Sequence, residues 1–552
     1  MLNRKGRIWV VAALLVLVLI AVFAVVRACA GESGQAAEPR SYQLAPAWQA
    51  ENAGAPFALD ADTGTLLLWD EVAQFDHRVK AVDARTGKAK WTGRPSGWDV
   101  NFDYIRGGRL TGDAVIVESN YLRGQPGIAA LDLTDGEVRW QLATPGQLPP
   151  QLAVTADVVV AAWNDNTLRG LDADDGEKLW ETRLDPGCEA EELAGDVTLV
   201  VAEVRCEKKR YLESYDPDTG ESNWQVPVSI EAEKSVDDLD VHGDAVIIRF
   251  AKRLLVLDAT GRTLLDAPTT ERVSPQVVTT EDIAVVAYTD KADGDVVTAI
   301  ARQDAKPRWR RQLAVSAMRL AQGRLFALGP LPEPLLPAGL YEIDQATGRM
   351  TVSPTHLLVP DFQSLATVFD DVAVTYHWQG EIPRTSVLSG YRLTPAPSPV
   401  GIAGGGPAES WPGACELLTT DEVAARATGV SYEAKPQQTT IADMALPKPA
   451  QCRYEPSSVK APVVSVGVAW SGTDPAQATE LMADLRRQYA DTAEVPGLGD
   501  EALRLASFDY PQPTVKLYIR VGARIARVKV PDGHDDLVRE LAALAVARLA
   551  AT

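Results

Sequence analysis

Histidine and cysteine are scarce in this chain, with five of each among 552 residues. His77, His242, His356, His377 and His534 are scattered, and no His-Glu-x-x-His pair sets two ligands on one helix face. Such lone histidines are surface or core residues by default. No cysteine has a second ligand at Cys-x-x-Cys or Cys-x-x-His spacing, which argues against a structural zinc site. Gly-x-Ser-x-Gly and Gly-x-x-x-x-Gly-Lys-Ser/Thr are missing as well, removing the nucleophile elbow and the phosphate-cradling loop. The acidic stretch from Asp172 to Gly176 lacks the spacing and terminal Glu of a calcium loop and reads as turn chemistry. Basic surplus is also lacking: 54 Lys and Arg face 75 Asp and Glu, for a net charge of −21. A chain of this sign repels nucleic acid at long range, and no basic patch with interleaved aromatics offsets it. The expectation is no catalytic residue, no metal, no cofactor and no nucleic-acid partner.

Long apolar runs are rare, with one exception. Ile8 to Val26 is nineteen apolar residues without a charge. At helical rise it spans roughly 28 Å, close to the ~30 Å hydrocarbon core. Arg4, Lys5 and Arg7 precede it, so residues 1–7 are expected in the cytoplasm, 8–26 in the membrane, and everything after Arg27 outside. A cleaved signal is the alternative, although its apolar core is usually shorter. Lipidation at Cys29 is a third, against which Arg27 stands where a small or apolar residue belongs. The other four cysteines are an even number, as an oxidising compartment favours. Grouped by domain, they predict Cys188–Cys206 and Cys415–Cys452.

What the sequence does have is a repeat. An apolar strand ends in Asp, a Gly follows four residues later and a Trp four beyond that: Asp83-Gly87-Trp91, Asp132-Gly136-Trp140, Asp172-Gly176-Trp180 and Asp216-Gly220-Trp224. Asp can accept turn amides, Gly supplies a positive φ, and Trp rides the returning strand, where it can fill the wedge between sheets. A second regular feature precedes each hairpin, as in Gly112-Asp113-Ala114-Val115 and Gly243-Asp244-Ala245-Val246. Each unit therefore holds about four strands, the content of a propeller blade.

The Asp residues at 83, 132, 172, 216 and 258 are 49, 40, 44 and 42 apart, and the next copy, Asp344-Gly348, follows Asp258 by 86. A decayed blade belongs in that gap, and Val296 to Trp309 fits it. An eighth unit, from Asp371 to Leu393, has no returning strand of its own, whereas Ala47-Trp48-Gln49 resembles a returning strand without a hairpin. Trp48 is thus predicted to complete blade eight and close the ring, with Asp60-Thr63-Gly64 as the opening hairpin of blade one.

These repeats, Leu-Asp-x-x-Thr-Gly-x-x-x-Trp in outline, resemble the pyrroloquinoline-quinone (PQQ) enzyme-type, BamB-like propeller repeat over roughly residues 45–395. That family includes quinoprotein dehydrogenases and the non-enzymatic outer-membrane assembly lipoprotein BamB. The resemblance implies the fold; the chemistry depends on the site. Family dehydrogenases carry adjacent cysteines, an acidic calcium site and a catalytic Asp. Here the nearest two cysteines are eighteen apart, and the long insertions that build the cofactor pocket are missing.

After the Pro- and Gly-rich stretch 394–410 the pattern changes. Helices are expected over Asp421 to Thr428 with Thr420 as cap, from Asp474 to Tyr489, and from Asp535 to Ala551. Strands are expected at Val463 to Trp470, Val515 to Val521 and Arg524 to Val530. The start Trp411-Pro412-Gly413-Ala414-Cys415, with Cys452-Arg453-Tyr454 and Pro496-Gly497-Leu498-Gly499-Asp500, resembles a family of small actinobacterial secreted lipoprotein domains of unknown function. The reading is an eight-bladed all-β propeller (45–393), behind a linker (27–44), and a separable α+β domain (411–552). Its expected role is a membrane-anchored, non-enzymatic interaction platform that binds another envelope protein. Ligand sensing is the alternative, with quinone-dependent oxidation behind it.

Overall fold

The computed structural model describes residues 38–551 except 74–75, 96–103, 121–126, 144–149, 164–165, 208, 229–235, 237, 271–274, 333–334, 337, 355–363, 380–384, 397–407, 428, 442–443, 490–491 and 510–511. The apolar run 8–26 and Cys29 lie outside the described residues. Among the described residues, no helix is long and apolar enough to cross a membrane.

Eight four-stranded antiparallel sheets follow one another along the chain. Seven are simple meanders spanning residues 55–93, 104–143, 151–183, 188–228, 238–268, 276–312 and 317–354. The first strands of successive blades touch all the way round, and that of blade one also touches that of blade eight, so the ring is closed. Because blades stack face to face, their middle strands are buried on both sides and read as unbroken apolar runs such as Val158–Ala161 and Ile128–Leu131. The eighth sheet takes three strands from Ser364–Pro395 and its outermost from Tyr42–Glu51. Trp48 lies opposite Gly390, and Pro46 opposite Tyr391, so the chain's two propeller ends close one blade between them.

The C-terminal domain is mostly strand. Its seven-stranded antiparallel sheet runs, edge to edge, through Tyr432–Gln437, Gln451–Pro456, Val464–Ser471, Arg524–Pro531, Gln512–Val521, Glu501–Asp509 and Thr492–Glu494. Helices Thr420–Arg426, Pro475–Gln488 and Asp535–Ala551 accompany it. The cap of the first is Thr419, one residue before the expected Thr420: its hydroxyl accepts from Glu422 N–H while the Glu422 carboxylate takes Thr419 N–H. Arg548 of the last helix grips the same carboxylate at 2.6 and 2.7 Å, and its guanidinium draws the Glu422 pKa down to about 2. The four strands that sequence reading missed include Tyr432–Gln437 and Gln451–Pro456, which alternate apolar and polar residues but are short and rich in charged and polar groups.

Arg40–Thr552 forms a single compact unit. Leu331 and Leu335, from the blade-seven connection Leu331–Pro337, share one buried apolar cluster with Trp470, Cys452 and Tyr454, and Leu336 N–H donates to Ala469 carbonyl at 3.1 Å. The Pro- and Gly-rich composition of 394–410 reports the connector's own stiffness and is silent about the surfaces it joins.

Candidate interaction surface

Each repeat turn is a saturated hydrogen-bonding unit. In blade two, Asp132 Oδ1 accepts Thr134 N–H at 2.8 Å, and Gly136 N–H donates to the Asp132 carbonyl at 2.8 Å. Gly136 sits at φ +77°, and a Cβ there would lie 2.4 Å from Cε3 of Trp91. Trp91 belongs to blade one. Its face rests on the glycine of the next blade, and its Nε1 donates to the Leu133 carbonyl at 2.8 Å. Trp140, Trp180, Trp224 and Trp309 repeat the arrangement on Gly176, Gly220, Gly261 and Gly348, donating to the carbonyls of Ala173, Pro217, Ala259 and Gln345. Trp48 docks on Gly87 in the same way, although its Nε1 has no acceptor. Read along the chain the motif is Asp-Gly-Trp; in space the Trp of one blade meets the Gly of the next.

Arginines reinforce the same turns. Arg139 reaches Asp132 at 2.7 Å and Asp113 at 2.6 Å, and these hydrogen bonds hold both carboxyls below the usual carboxylate range. Burial opposes ionisation of Asp258, but the Thr260 hydroxyl and Arg262 outweigh it and keep its pKa low. Between blades eight and one, Arg85 pairs with Asp370 at 2.5 Å and lies 4.5 Å over the Phe369 ring.

Two seams depart from the pattern. Between blades five and six, Leu265 lies opposite Val256 where other blades set Trp, and Ala305 at φ +54° replaces the glycine. The spacing Ala301-x-x-x-Ala305-x-x-x-Trp309 is the decayed copy, and Ala305 N–H donates to the Ala301 carbonyl at 2.9 Å as its Gly counterparts do. A smaller side chain leaves room for a Cβ. Arg262 compensates by donating to the carbonyls of Arg302 and Gln303, while Arg302 pairs with Asp244. A left-handed alanine costs about 1–2 kcal/mol, of which glycine's extra unfolded-state entropy returns about half. Ala305→Gly should therefore raise stability by roughly 0.5–1 kcal/mol and Ala305→Val should lower it, read as opposite shifts of the denaturant midpoint.

In blade seven the outer hairpin lacks the bulge present in its neighbours, so Thr351, not Val352, stands opposite Glu342. Among the described residues, no indole crosses to blade eight. The N-terminal strand laces this seam instead: Tyr42 N–H donates to Ser353 Oγ at 2.7 Å, Tyr42 OH to the buried Glu342 at 2.6 Å, and Thr351 Oγ1 to the Arg40 carbonyl at 2.7 Å. Arg324 pairs with the same Glu342. Burial, with Glu342 beside it, pushes the Tyr42 hydroxyl pKa well up and keeps it a donor. Sequence spacing missed all of these polar residues.

The turns just described lie at one end of the ring with the first hairpin turn of each blade. Within a blade, these connections vary little: two to four residues for the first hairpin, five or six for the Asp-Gly turn. At the opposite end the connections run from two to seven residues within blades and from three to ten between them. Variable loops on a rigid scaffold carry recognition, so this loop face is the candidate interaction surface. Cys188 and Cys206 sit on it, facing each other across the first two strands of blade four and joined by a disulfide. Beside them Arg210 holds Glu191 and Glu203, each at 2.6 Å, and burial raises the Glu203 pKa although Arg210 opposes it. The second predicted pair, Cys415–Cys452, is also joined, inside the C-terminal domain. Among the described residues, no three His, Cys, Asp or Glu side chains are grouped to hold a metal.

Eight four-stranded blades, six of their seams seated by an indole crossing onto the next blade's turn glycine, define a PQQ-type repeat propeller. The family model described as outer membrane protein assembly factor BamB matches residues 76–248 and 208–351, and the chain belongs to this BamB-like family. A curated relative, outer membrane protein assembly factor BamB of Nitrosomonas eutropha, is 30% identical over 138 residues, 24% of this chain and 30% of the relative's own length. The match thus spans under a third of that protein. Among solved structures, BamB from Moraxella catarrhalis is 15% identical, covering 63% of this chain and 98% of that one at a TM-score of 0.37. A europium-containing methanol dehydrogenase is 13% identical, with 63% and 93% coverage and a TM-score of 0.38.

Proposed function

We propose that this chain is a non-enzymatic interaction platform of the cell envelope, anchored by residues 8–26 and presenting its loop face to another envelope protein. The observation that carries this reading is how fully the repeat residues are used. Each described signature Asp accepts turn amides, the glycines seat the indoles, and five of the six docked indoles donate to the next blade. The four cysteines of the two folded domains are closed in two disulfides, so none is left to form the adjacent pair that clamps a quinone in family dehydrogenases. Membership of the BamB-like family supports an envelope setting.

Two measurements test it. The purified residues 38–552, given PQQ, calcium and an artificial electron acceptor, should reduce none of it with alcohols or sugars. Cross-linking in intact envelopes should recover the chain bound to a protein through its loop face. Quinone-dependent turnover above a no-enzyme control refutes the reading, and repeated recovery of a small molecule alone replaces it with ligand sensing.

A further inference from the structure

We infer that the channel on the ring's axis binds a small monocarboxylate at a girdle of charged side chains, with Arg319 as the main contact and Arg109 as the second. The girdle follows from the strand register. The third residue pair, counted from the first hairpin turn of each blade, marks one level on the eight innermost strands. At five blades the innermost residue of that pair is Ala, Val or Thr. At blades two, five and seven it is Arg109, Asp240 and Arg319.

Short side chains at this level are covered by the neighbouring blade, and Ala153, Ala194 and Thr367 are buried there. Arg109, Asp240 and Arg319 keep exposure in mid-strand. An innermost strand has its partner strand on one side and blades on both faces, so a longer polar side chain finds open space only at the axis. Arg319 lies along that inner wall: its Nε donates to the Ala366 carbonyl on the first strand of blade eight at 3.0 Å, and its Nη1 to the Met318 carbonyl at 2.7 Å. Blades two and five are not neighbours, so Arg109 and Asp240 can sense each other only through the channel. Burial opposes ionisation of Asp240, but His242, 3.1 Å away, and Arg109 outweigh it and keep its pKa low.

Two guanidiniums face one carboxylate at this level, a surplus of one positive charge inside a chain whose net charge is −21. Arg109 shares Asp240 across the channel, whereas both hydrogen bonds of Arg319 go to carbonyls and leave its charge unneutralised. A singly charged anion balances the level; a divalent one overshoots and meets Asp240. The planar fork of a guanidinium also matches a carboxylate. The alanines leave the room that the ligand needs. The girdle lies toward the Asp-Gly end, away from the loop face, so this site and the protein-binding surface are separate.

Thermal unfolding of the full-length protein in detergent tests the site, with sodium acetate replacing sodium chloride at fixed ionic strength. The midpoint should rise with acetate and saturate. Arg319→Gln should raise the half-saturating acetate concentration about ten-fold or more, as loss of a charged hydrogen bond predicts. Arg109→Gln should raise it about three-fold, in keeping with a more exposed contact. Arg183→Gln, an exposed position on the outer strand of blade three, should leave it unchanged. General salt effects on stability grow without saturating and are common to all four proteins. A rise of that kind alone, or equal half-saturation in the parent and Arg319→Gln, overturns the inference. Should Arg319→Gln not fold, Arg109→Gln decides by the same criterion.

Discussion

Deleting residues 41–50 should open the propeller: the shortened chain is expected to lose its cooperative unfolding transition or to shift it by well over 5 kcal/mol. The strand Tyr42–Glu51 contributes nine paired positions along Thr385–Pro395, and the deletion exposes that strand as an unprotected edge. The Trp48 dock goes with it, leaving the Gly87 face unfilled. So do two of the three hydrogen bonds that lace blade seven, both from Tyr42, one of them to the buried Glu342 carboxylate. Arg324 still pairs with that carboxylate, so the loss of the Tyr42 bond costs about 1–3 kcal/mol. Single substitutions separate these parts. Trp48→Ala should cost about 3 kcal/mol, at the lower end for a large aromatic because the ring keeps some exposure. Tyr42→Phe keeps the ring and removes only the hydroxyl, so its expected cost is about 1–3 kcal/mol. Chemical denaturation of the three variants beside the parent gives the comparison. A deletion variant that unfolds at the parent's midpoint would mean that blade eight is stable with three strands.

Closure was legible because it is a matter of counting. A blade that stops at Tyr391-Arg392-Leu393 and a lone strand around Trp48 are complementary halves whatever their side chains, and ring closure requires them to meet. The Asp-Gly-Trp spacing was legible for a related reason: positive φ at Gly and burial of a flat ring restrict residue choice so tightly that the pattern survives drift. Ala305 marks the limit of that signal. Position and φ are kept while the residue type is lost, so spacing alone placed blade six. The seam chemistry of blades five to eight was not legible. Arg262, Arg302, Glu342 and Arg324 are single charged residues with partners up to 41, 58, 300 and 18 positions away, and nothing local in the chain announces such a pairing. The loop face is hidden for a deeper reason. The repeat concentrates its information at the Asp-Gly end of the ring, whereas recognition is assigned to the opposite end, where length and composition vary.

Acidification from pH 7 to about pH 4 should destabilise the protein through His377, by roughly 2–3 kcal/mol. Its ring sits on a blade-eight strand opposite Val387, with Nδ1 buried and without a partner. Burial pushes its pKa down to about 4, and the positive charge of Arg487 acts in the same direction. In the unfolded chain the imidazole titrates near ~6.5. Between those two values the unfolded state takes up a proton that the folded state refuses. The histidine's contribution is therefore fully present above about pH 6.5 and is lost progressively as pH falls toward 4, at about 1.4 kcal/mol per unit. Carboxylates such as Glu422, held at about 2 by Arg548, lose their contribution only once the pH falls below ordinary carboxylate values. Glu192 and Glu203, whose pKa values burial raises, work with the opposite sign: their neutral folded forms are favoured as pH falls. A change confined to His377 isolates its share. His377→Gln keeps a polar side chain that cannot take up a proton, so the difference between variant and parent midpoints at pH 7.5 and pH 4.5 reads the histidine alone. The expected outcome is a variant that loses most of the parent's sensitivity between pH 6.5 and 4.5. Equal slopes for the two proteins would show that the ring is protonated without penalty, and hence that blade eight admits water or an acid beside it.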